Sequence, residues 1–198
     1  MKKVLTAVLL VAATQAMAEA PSYNYVGVEA GIIDLDSDQG TRDIDIGILY
    51  GSYALSDHFH VIGGVSKAEA ELSFDGDIFD VDQNEYSVGA GFHTVLNPTT
   101  TIHVRGSYHH YDLKIDGDVA DDLMEDDAMS VSIGIRHNIT DTLEVHGSMG
   151  TLSYEHEKTT GITAGLDYTF VEGIAATLYT GIDEDDDSFL MVGLQYTF

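Results

Sequence analysis

The sequence predicts an all-β fold: a closed antiparallel transmembrane β-barrel of ten strands, with eight strands as the alternative. Three observations carry this. Alternating segments of about ten residues recur along the chain. Each sets an apolar face against a face of glycine and ionisable groups. Short turns and longer acidic stretches take turns as connections.

Residues 1–18 stand apart from that pattern. Lys2 and Lys3 precede an apolar run from Val4 to Ala13, and Ala16-Met17-Ala18 is a small-x-small cleavage site. This is the pattern of a secretory signal peptide. Ten apolar residues are too few to cross a bilayer core as a helix. The barrel domain is therefore expected over residues 19–198.

The C-terminal segment shows the alternation best. Leu190, Val192, Leu194, Tyr196 and Phe198 share one face, and Met191, Gly193, Gln195 and Thr197 share the other. Upstream, Ile162, Ala164, Leu166, Tyr168 and Phe170 oppose Thr163, Gly165, Asp167 and Thr169. Val131, Ile133 and Ile135 oppose Ser132, Gly134 and Arg136, and Tyr86, Val88, Ala90 and Phe92 oppose Ser87, Gly89, Gly91 and His93. Ile44, Ile46, Ile48 and Tyr50 are read as an apolar face opposing Asp45, Gly47 and Gly51. Val26, Val28, Ala30 and Ile32 oppose Gly27, Glu29 and Gly31. Residues 59–73 alternate poorly, which keeps the eight-stranded alternative open.

The apolar faces belong on the outside. An interior holding Glu29, Arg105, Arg136, Glu144 and Asp167 cannot also take the large apolar set without burying unpaired charge. Facing lipid removes that conflict, and hydrocarbon then requires a closed sheet. Inward positions also include His93, His103, His109 and His146. With the five charged residues they form a candidate paired polar core. Ten strands lie near the filled end of the barrel range, so a narrow or plugged lumen is expected, widened somewhat by inward glycines.

Short turns fall near Ser56-Asp57-His58, Asn97-Pro98-Thr99, Thr140-Asp141 and Glu172-Gly173. Longer acidic connections fall near 34–43, 74–83, 116–128, 156–160 and 183–187. An even strand number places both mature termini on the short-turn, periplasmic side.

The balance of 8 basic against 34 acidic residues, net −26, excludes a phosphate-tracking nucleic-acid surface. With no cysteine, disulfide frameworks and thiolate zinc sites are excluded too. Most of the acids lie in the long connections, so one rim is strongly negative. Asp34-x-Asp36-x-Asp38 resembles the start of a calcium loop, but its sixth position is Gln39 and its twelfth Asp45. Asp183, Asp185, Asp186 and Asp187 are a second oxygen-rich run. A solvated acidic surface is the expectation for both, with loose Ca²⁺ or Mg²⁺ association as the alternative; no other cofactor is expected.

His110 and Asp112 share a strand face near the outer rim, the residue types used by omptin-type barrel proteases. No second acidic pair accompanies them, so no catalytic residue is assigned and no enzyme is expected. A soluble lipocalin-like ligand-binding barrel is a further alternative, opposed by the outward apolar faces.

Ser22-Tyr23-Asn24-Tyr25-Val26, His58-Phe59-His60-Val61-Ile62-Gly63-Gly64 and Val81-Asp82-Gln83 resemble segments of a family of small proteobacterial outer-membrane barrels. More broadly the chain is similar to the OmpX/Ail/OmpA-like superfamily of attachment and virulence barrels. Gly193-Leu194-Gln195-Tyr196-Thr197-Phe198 resembles the terminal β-signal read by the barrel-assembly machinery, which gives Tyr196 and Phe198 a role in assembly. The resemblance implies a Gram-negative outer-membrane location, with lipid and lipopolysaccharide as surroundings, and no catalytic residues. A monomer with a structural or surface-interaction role is expected, with narrow, cation-favouring passage of small solutes as an accompanying property.

Overall fold

The computed structural model describes residues 20–35, 42–74, 77–116, 122–155 and 157–198. The expected signal peptide, and Asp36 and Asp38 of the first acidic connection, lie outside the described residues.

Ten strands follow one another: β1 (Tyr25–Leu35), β2 (Arg42–Ala54), β3 (Phe59–Phe74), β4 (Asp77–Asn97), β5 (Thr100–Asp116), β6 (Asp122–Asn138), β7 (Leu143–Ser153), β8 (Lys158–Val171), β9 (Ile174–Asp183) and β10 (Ser188–Thr197). Each pairs antiparallel with its neighbour in sequence, and β10 returns to β1 to close the barrel. The closing seam runs from Tyr25↔Thr197 to Asp34↔Ser188. Closure leaves no ladder edge facing hydrocarbon. The poorly alternating stretch after Phe59 is strand β3, paired with β2 and along its whole length with β4. That fixes ten strands over eight.

The outward positions are apolar on nearly every strand. Val26 and Val28, Tyr86 and Val88, Val131 and Ile133, Ile162 and Leu166, and Val192 and Leu194 are all exposed. Aromatics mark the two borders of this band. Tyr53, Phe59, Phe92, Tyr168, Phe170, Tyr196 and Phe198 lie exposed at the short-turn end, and Tyr86 and Tyr108 lie exposed towards the other. Such girdles sit at membrane interfaces.

Strand β2 is oriented opposite to its expected reading. Leu49 pairs with Val28, and both are exposed. Tyr53 is exposed on the same face, whereas Tyr50 turns inward to donate to Glu29. Ile44, Ile46, Ile48 and Tyr50 therefore line the interior. Both faces of this strand carry large apolar residues, so alternation alone cannot orient it; pairing with β1 does.

Strands β3 to β6 are longer than the rest, at 16, 21, 17 and 17 residues. About 9–11 tilted residues cross a bilayer core. Pairing of β2 with β3 stops at Asp45↔Glu69, and that of β6 with β7 at Met129↔Ser153. The β3–β4 and β5–β6 ladders continue to Phe74↔Asp77 and Ile115↔Asp122. A four-stranded sheet thus stands out beyond the membrane band. The connections expected over 74–83 and 116–128 are largely this sheet. Asp82, Asp112, Glu125 and Asp127 occupy outward positions where lipid has given way to water, so the segment reads as loop by polarity while the pleat persists.

The short turns tighten as expected. In the β8–β9 turn Gly173 has φ of 76°, a conformation that glycine takes without strain.

Candidate functional site: a polar lumen with a closed floor

The inward face of the barrel carries several polar clusters beside the isoleucines of β2. Its floor, at the short-turn end, is occupied by the segment just before β1. Tyr23 is only 3% exposed. Its ring stacks on His93, with centroids 3.8 Å apart. Its hydroxyl lies 3.0 Å from Thr101 Oγ1 and 3.4 Å from His103 Nδ1. The guanidinium of Arg136 sits 5.1 Å from the ring centre and that of Arg105 5.9 Å, within cation–π range.

Arg136 anchors this floor. It is buried, and it donates from Nε and Nη2 to the two oxygens of Glu144 at 2.5 and 3.0 Å. Its Nη1 donates to the Ser22 carbonyl at 2.5 Å, which ties the plugging segment down. The pairing answers the cost of burying a guanidinium. Asn24 holds the segment's other side by accepting from the Ala54 and Phe198 backbone amides.

Above the floor, Arg105 donates through Nε to His60 Nε2 at 3.2 Å and through Nη2 to the Tyr25 hydroxyl at 3.1 Å. His60 Nδ1 is 3.0 Å from His93 Nδ1. Glycines make room for these rings. A β-carbon at Gly91, Gly134 or Gly165 would meet His60, His103 or His146 respectively. The inward glycines were expected to widen the bore; the space is taken up by histidine instead.

Higher still, Glu29 accepts from the Tyr50 and Thr177 hydroxyls at 3.0 and 3.1 Å. His146 Nε2 lies 3.5 Å from Asp167 Oδ1. Cavities of about 240 and 260 Å³ lie in the lumen, and Tyr25, Ile48, Tyr50 and Arg105 line both. Near the outer mouth, His109 bridges Glu85 and Ser130 at 2.7 and 2.8 Å.

The interior residues singled out from sequence each have a place. Glu29, His93, His103, Arg105, Arg136, Glu144, His146 and Asp167 all point into the lumen, where they fall into several polar clusters. Tyr23, His60 and Tyr50 belong to these clusters as well. Nothing local marked them: Tyr23 precedes the first strand, His60 lies on the strand that alternates poorly, and Tyr50 sits on the inverted one.

Among the acidic runs, Asp183 turns its carboxylate onto the chain, accepting from the Asp185 and Asp187 amides at 3.0 Å. Asp186 takes a left-handed conformation in that turn, and Asp34 pairs with Ser188 across the closing seam. Among the described residues, no group of three or more His, Asp or Glu side chains is placed to hold a metal ion.

His110 and Asp112 point outward at the base of the protruding sheet. His110 Nε2 is 3.4 Å from Asp112, and its Nδ1 is 2.8 Å from Asp127. The Asp127 hydrogen bond raises the His110 pKa above the ordinary 6.5. Tyr108 and His110 together lower that of Asp127. Nearby, Lys67 pairs with Glu69 and with Asp82. Tyr196 and Phe198 stack at 6.1 Å on the lipid face of the last strand.

Comparison with known proteins agrees with this architecture. A family model described as the outer membrane protein beta-barrel domain matches residues 4–170, which ends before β9. No match among curated proteins is found. Solved structures with the same fold include the translocator domain of the autotransporter NalP from Neisseria meningitidis, at 11% identity and a TM-score of 0.57, covering 88% of each chain. The KdgM porin with disordered oligogalacturonate is 11% identical with a TM-score of 0.52, covering 88% of this chain and 99% of its own. The attachment invasion locus protein Ail of Yersinia pestis, solved with the heparin analogue sucrose octasulfate, is 14% identical with a TM-score of 0.50, covering 89% of this chain and all of its own.

Proposed function

The chain belongs to the outer membrane protein beta-barrel domain family, and from that premise we propose that it is a surface-interaction barrel, not a general pore. The observation that carries this reading is the sheet of β3 to β6 standing beyond the membrane band on a barrel whose floor is filled by Tyr23. The lumen offers no wide passage, and the exported sheet offers an interaction surface. That surface is acidic at Glu69, Asp82, Asp112, Glu125, Asp126 and Asp127. Its partner is cationic, a basic protein surface. Ail was solved with a polyanion; the charge of the present chain, net −26, opposes that class of ligand.

The test is binding of the purified, detergent-folded barrel to polylysine and to heparin at low and high salt. Polylysine binding that weakens steeply with salt supports the reading. Heparin binding at low salt, or no preference between the two, overturns it.

A second property follows from the lumen. Solutes that leak past Tyr23 meet the carboxylates of Glu29 and Asp167 and the acidic mouth, so any residual conductance favours cations. Single-channel recording in a planar bilayer under a salt gradient reads this directly. A reversal potential of the sign for anion preference refutes it.

A further inference from the structure

We propose that Glu85, His109 and Ser130 form a nucleophilic relay that hydrolyses small acyl esters in the outer part of the lumen. The three side chains come from neighbouring strands β4, β5 and β6 and meet on the inward face. Ser130 Oγ lies 2.8 Å from His109 Nε2, and His109 Nδ1 lies 2.7 Å from Glu85 Oε1. A carboxylate can only accept, so His109 carries its proton on Nδ1. Nε2 is then left to accept from the Ser130 hydroxyl. This is the tautomer and the order of contacts that activates a serine, with the acid orienting the base. Ser66 donates to the other oxygen of Glu85 at 3.1 Å and fixes the carboxylate.

Position supports the chemistry. Ser130 follows Met129, at the outer border of the lipid band, so the relay sits in the outer part of the lumen, with Tyr111 stacked on His109. His109 and Glu85 are each partly exposed, with side chains 17% and 24% accessible. A cavity of about 240 Å³ is lined by His109 and Glu85, and by Ser107, which lies across from Ser130 in the β5–β6 register; Ser130 itself meets it through His109. The strand amides are engaged in the ladder, so the hydroxyl of Ser107, directly across from Ser130, is the donor available to a developing oxyanion. A volume of about 240 Å³ limits the acyl group to a short chain. The acidic rim disfavours anionic esters and selects neutral or cationic ones.

The steps balance without a further reagent. Ser130 Oγ attacks the acyl carbon while His109 Nε2 takes the hydroxyl proton. The tetrahedral oxyanion collapses, and the leaving alcohol departs with the proton from His109. Water then attacks the acyl-serine, giving its proton to His109. Ser130 is released with that proton, and the free acid leaves the mouth. Ser130 and His109 are the catalytic residues, and Glu85 and Ser66 are positioning residues.

The test uses the mature barrel folded in detergent, with folding verified for every sample by a heat-dependent gel shift. It is exposed to a fluorophosphonate label and, separately, to p-nitrophenyl butyrate. The expected result is a single adduct that mass spectrometry locates on Ser130, with saturable ester hydrolysis. Ser130→Ala abolishes both, and His109→Gln lowers kcat/KM by about 10³-fold or more. Glu85→Gln lowers kcat more than KM and changes the pH profile of hydrolysis, which a merely structural carboxylate would not do. Folded wild-type protein that takes no label, or takes it on another serine, overturns the proposal. So does hydrolysis that persists in folded Ser130→Ala. Because the adduct is mapped on the wild type, the outcome stands even if a variant fails to fold.

Discussion

Tyr23 lies nearly flat on His93, the two rings 3.8 Å apart and inclined by 14°. A residue outside the barrel's own strands thus supplies the largest ring of its floor. The stack joins the segment before β1 to β4, far round the wall, and Arg136 locks it by holding the Ser22 carbonyl. The floor is therefore filled by the segment before β1.

Replacing Tyr23 by alanine removes that ring, its hydroxyl contacts and its cation–π partners together. Deleting a buried aromatic costs about 3–5 kcal/mol, partly relieved here if water enters. The expected outcome is a lower melting temperature together with a larger single-channel conductance. A destabilised barrel with unchanged conductance would mean that the floor is sealed elsewhere.

Arg136 and Glu144 should behave as a buried pair. Glu144→Gln leaves the guanidinium only partly matched, and breaking such a pair costs about 3–5 kcal/mol. Replacing both partners by apolar residues, as in Arg136→Met with Glu144→Leu, should recover much of that loss. Denaturant unfolding of the two variants decides the matter. A double variant no more stable than Glu144→Gln would show that the Ser22 contact, not the ion pair, dominates.

The orientation of β2 has its own consequence. Leu49→Arg places a charge in lipid and should cost roughly 2–4 kcal/mol near the midplane. Leu166→Arg and Val192→Arg should cost similar amounts. Ile46→Gln, directed into the polar lumen, should cost less than any of these. Unfolding titrations in lipid vesicles measure all four, and equal costs at Leu49 and Ile46 would contradict the register.

The His110–Asp127 contact predicts a pH response outside the membrane. Because the folded His110 pKa lies above 6.5, its stabilising effect is complete below that value and is lost as pH rises through the folded pKa. Asp127 works in the other direction. Its pKa is depressed from 3.8, so its contribution is present above that value and fades as pH falls through the folded pKa. Hydrogen exchange at the base of the β5–β6 hairpin should be slowest in the mildly acidic window between the two. In Asp127→Asn, the His110 titration followed by NMR should move back down towards 6.5. A midpoint that stays put would mean that Asp112, at 3.4 Å, carries the effect.

For assembly, truncation of Phe198 should slow insertion of the chain into outer membrane. Pulse-chase protease protection gives the rate. Unchanged insertion would detach the terminal aromatic from recognition and leave it as an interface anchor stacked on Tyr196.

Much of this barrel was legible from alternation. Strands such as β1, β8 and β10 carry large apolar residues on one face and small or polar ones on the other, which fixes both their existence and their orientation. Where both faces are mixed, the signal fails. β2 offers Ile46 on one face and Leu49 on the other, and only its partner strand distinguishes them. The protruding parts of β4 and β6 fail for a different reason: once both faces meet water, nothing in hydropathy separates a strand from a loop. The lumen was legible as a set of charged and histidine residues. Its connections were not, because His109 reaching Glu85 and Ser130 depends on a register across three strands that no local spacing encodes.

Among the described residues, the sheet that rises past Glu69 and Met129 has two flanks with no neighbouring strand to pair with. Free backbone donors and acceptors of this kind are templates for copy-to-copy growth. On the β6 flank, Glu125, Asp126 and Asp127 meet any second molecule with the same sign of charge. The acidity that reads as an adhesive surface towards a cationic partner is, between identical neighbours on a crowded cell surface, what keeps them dispersed.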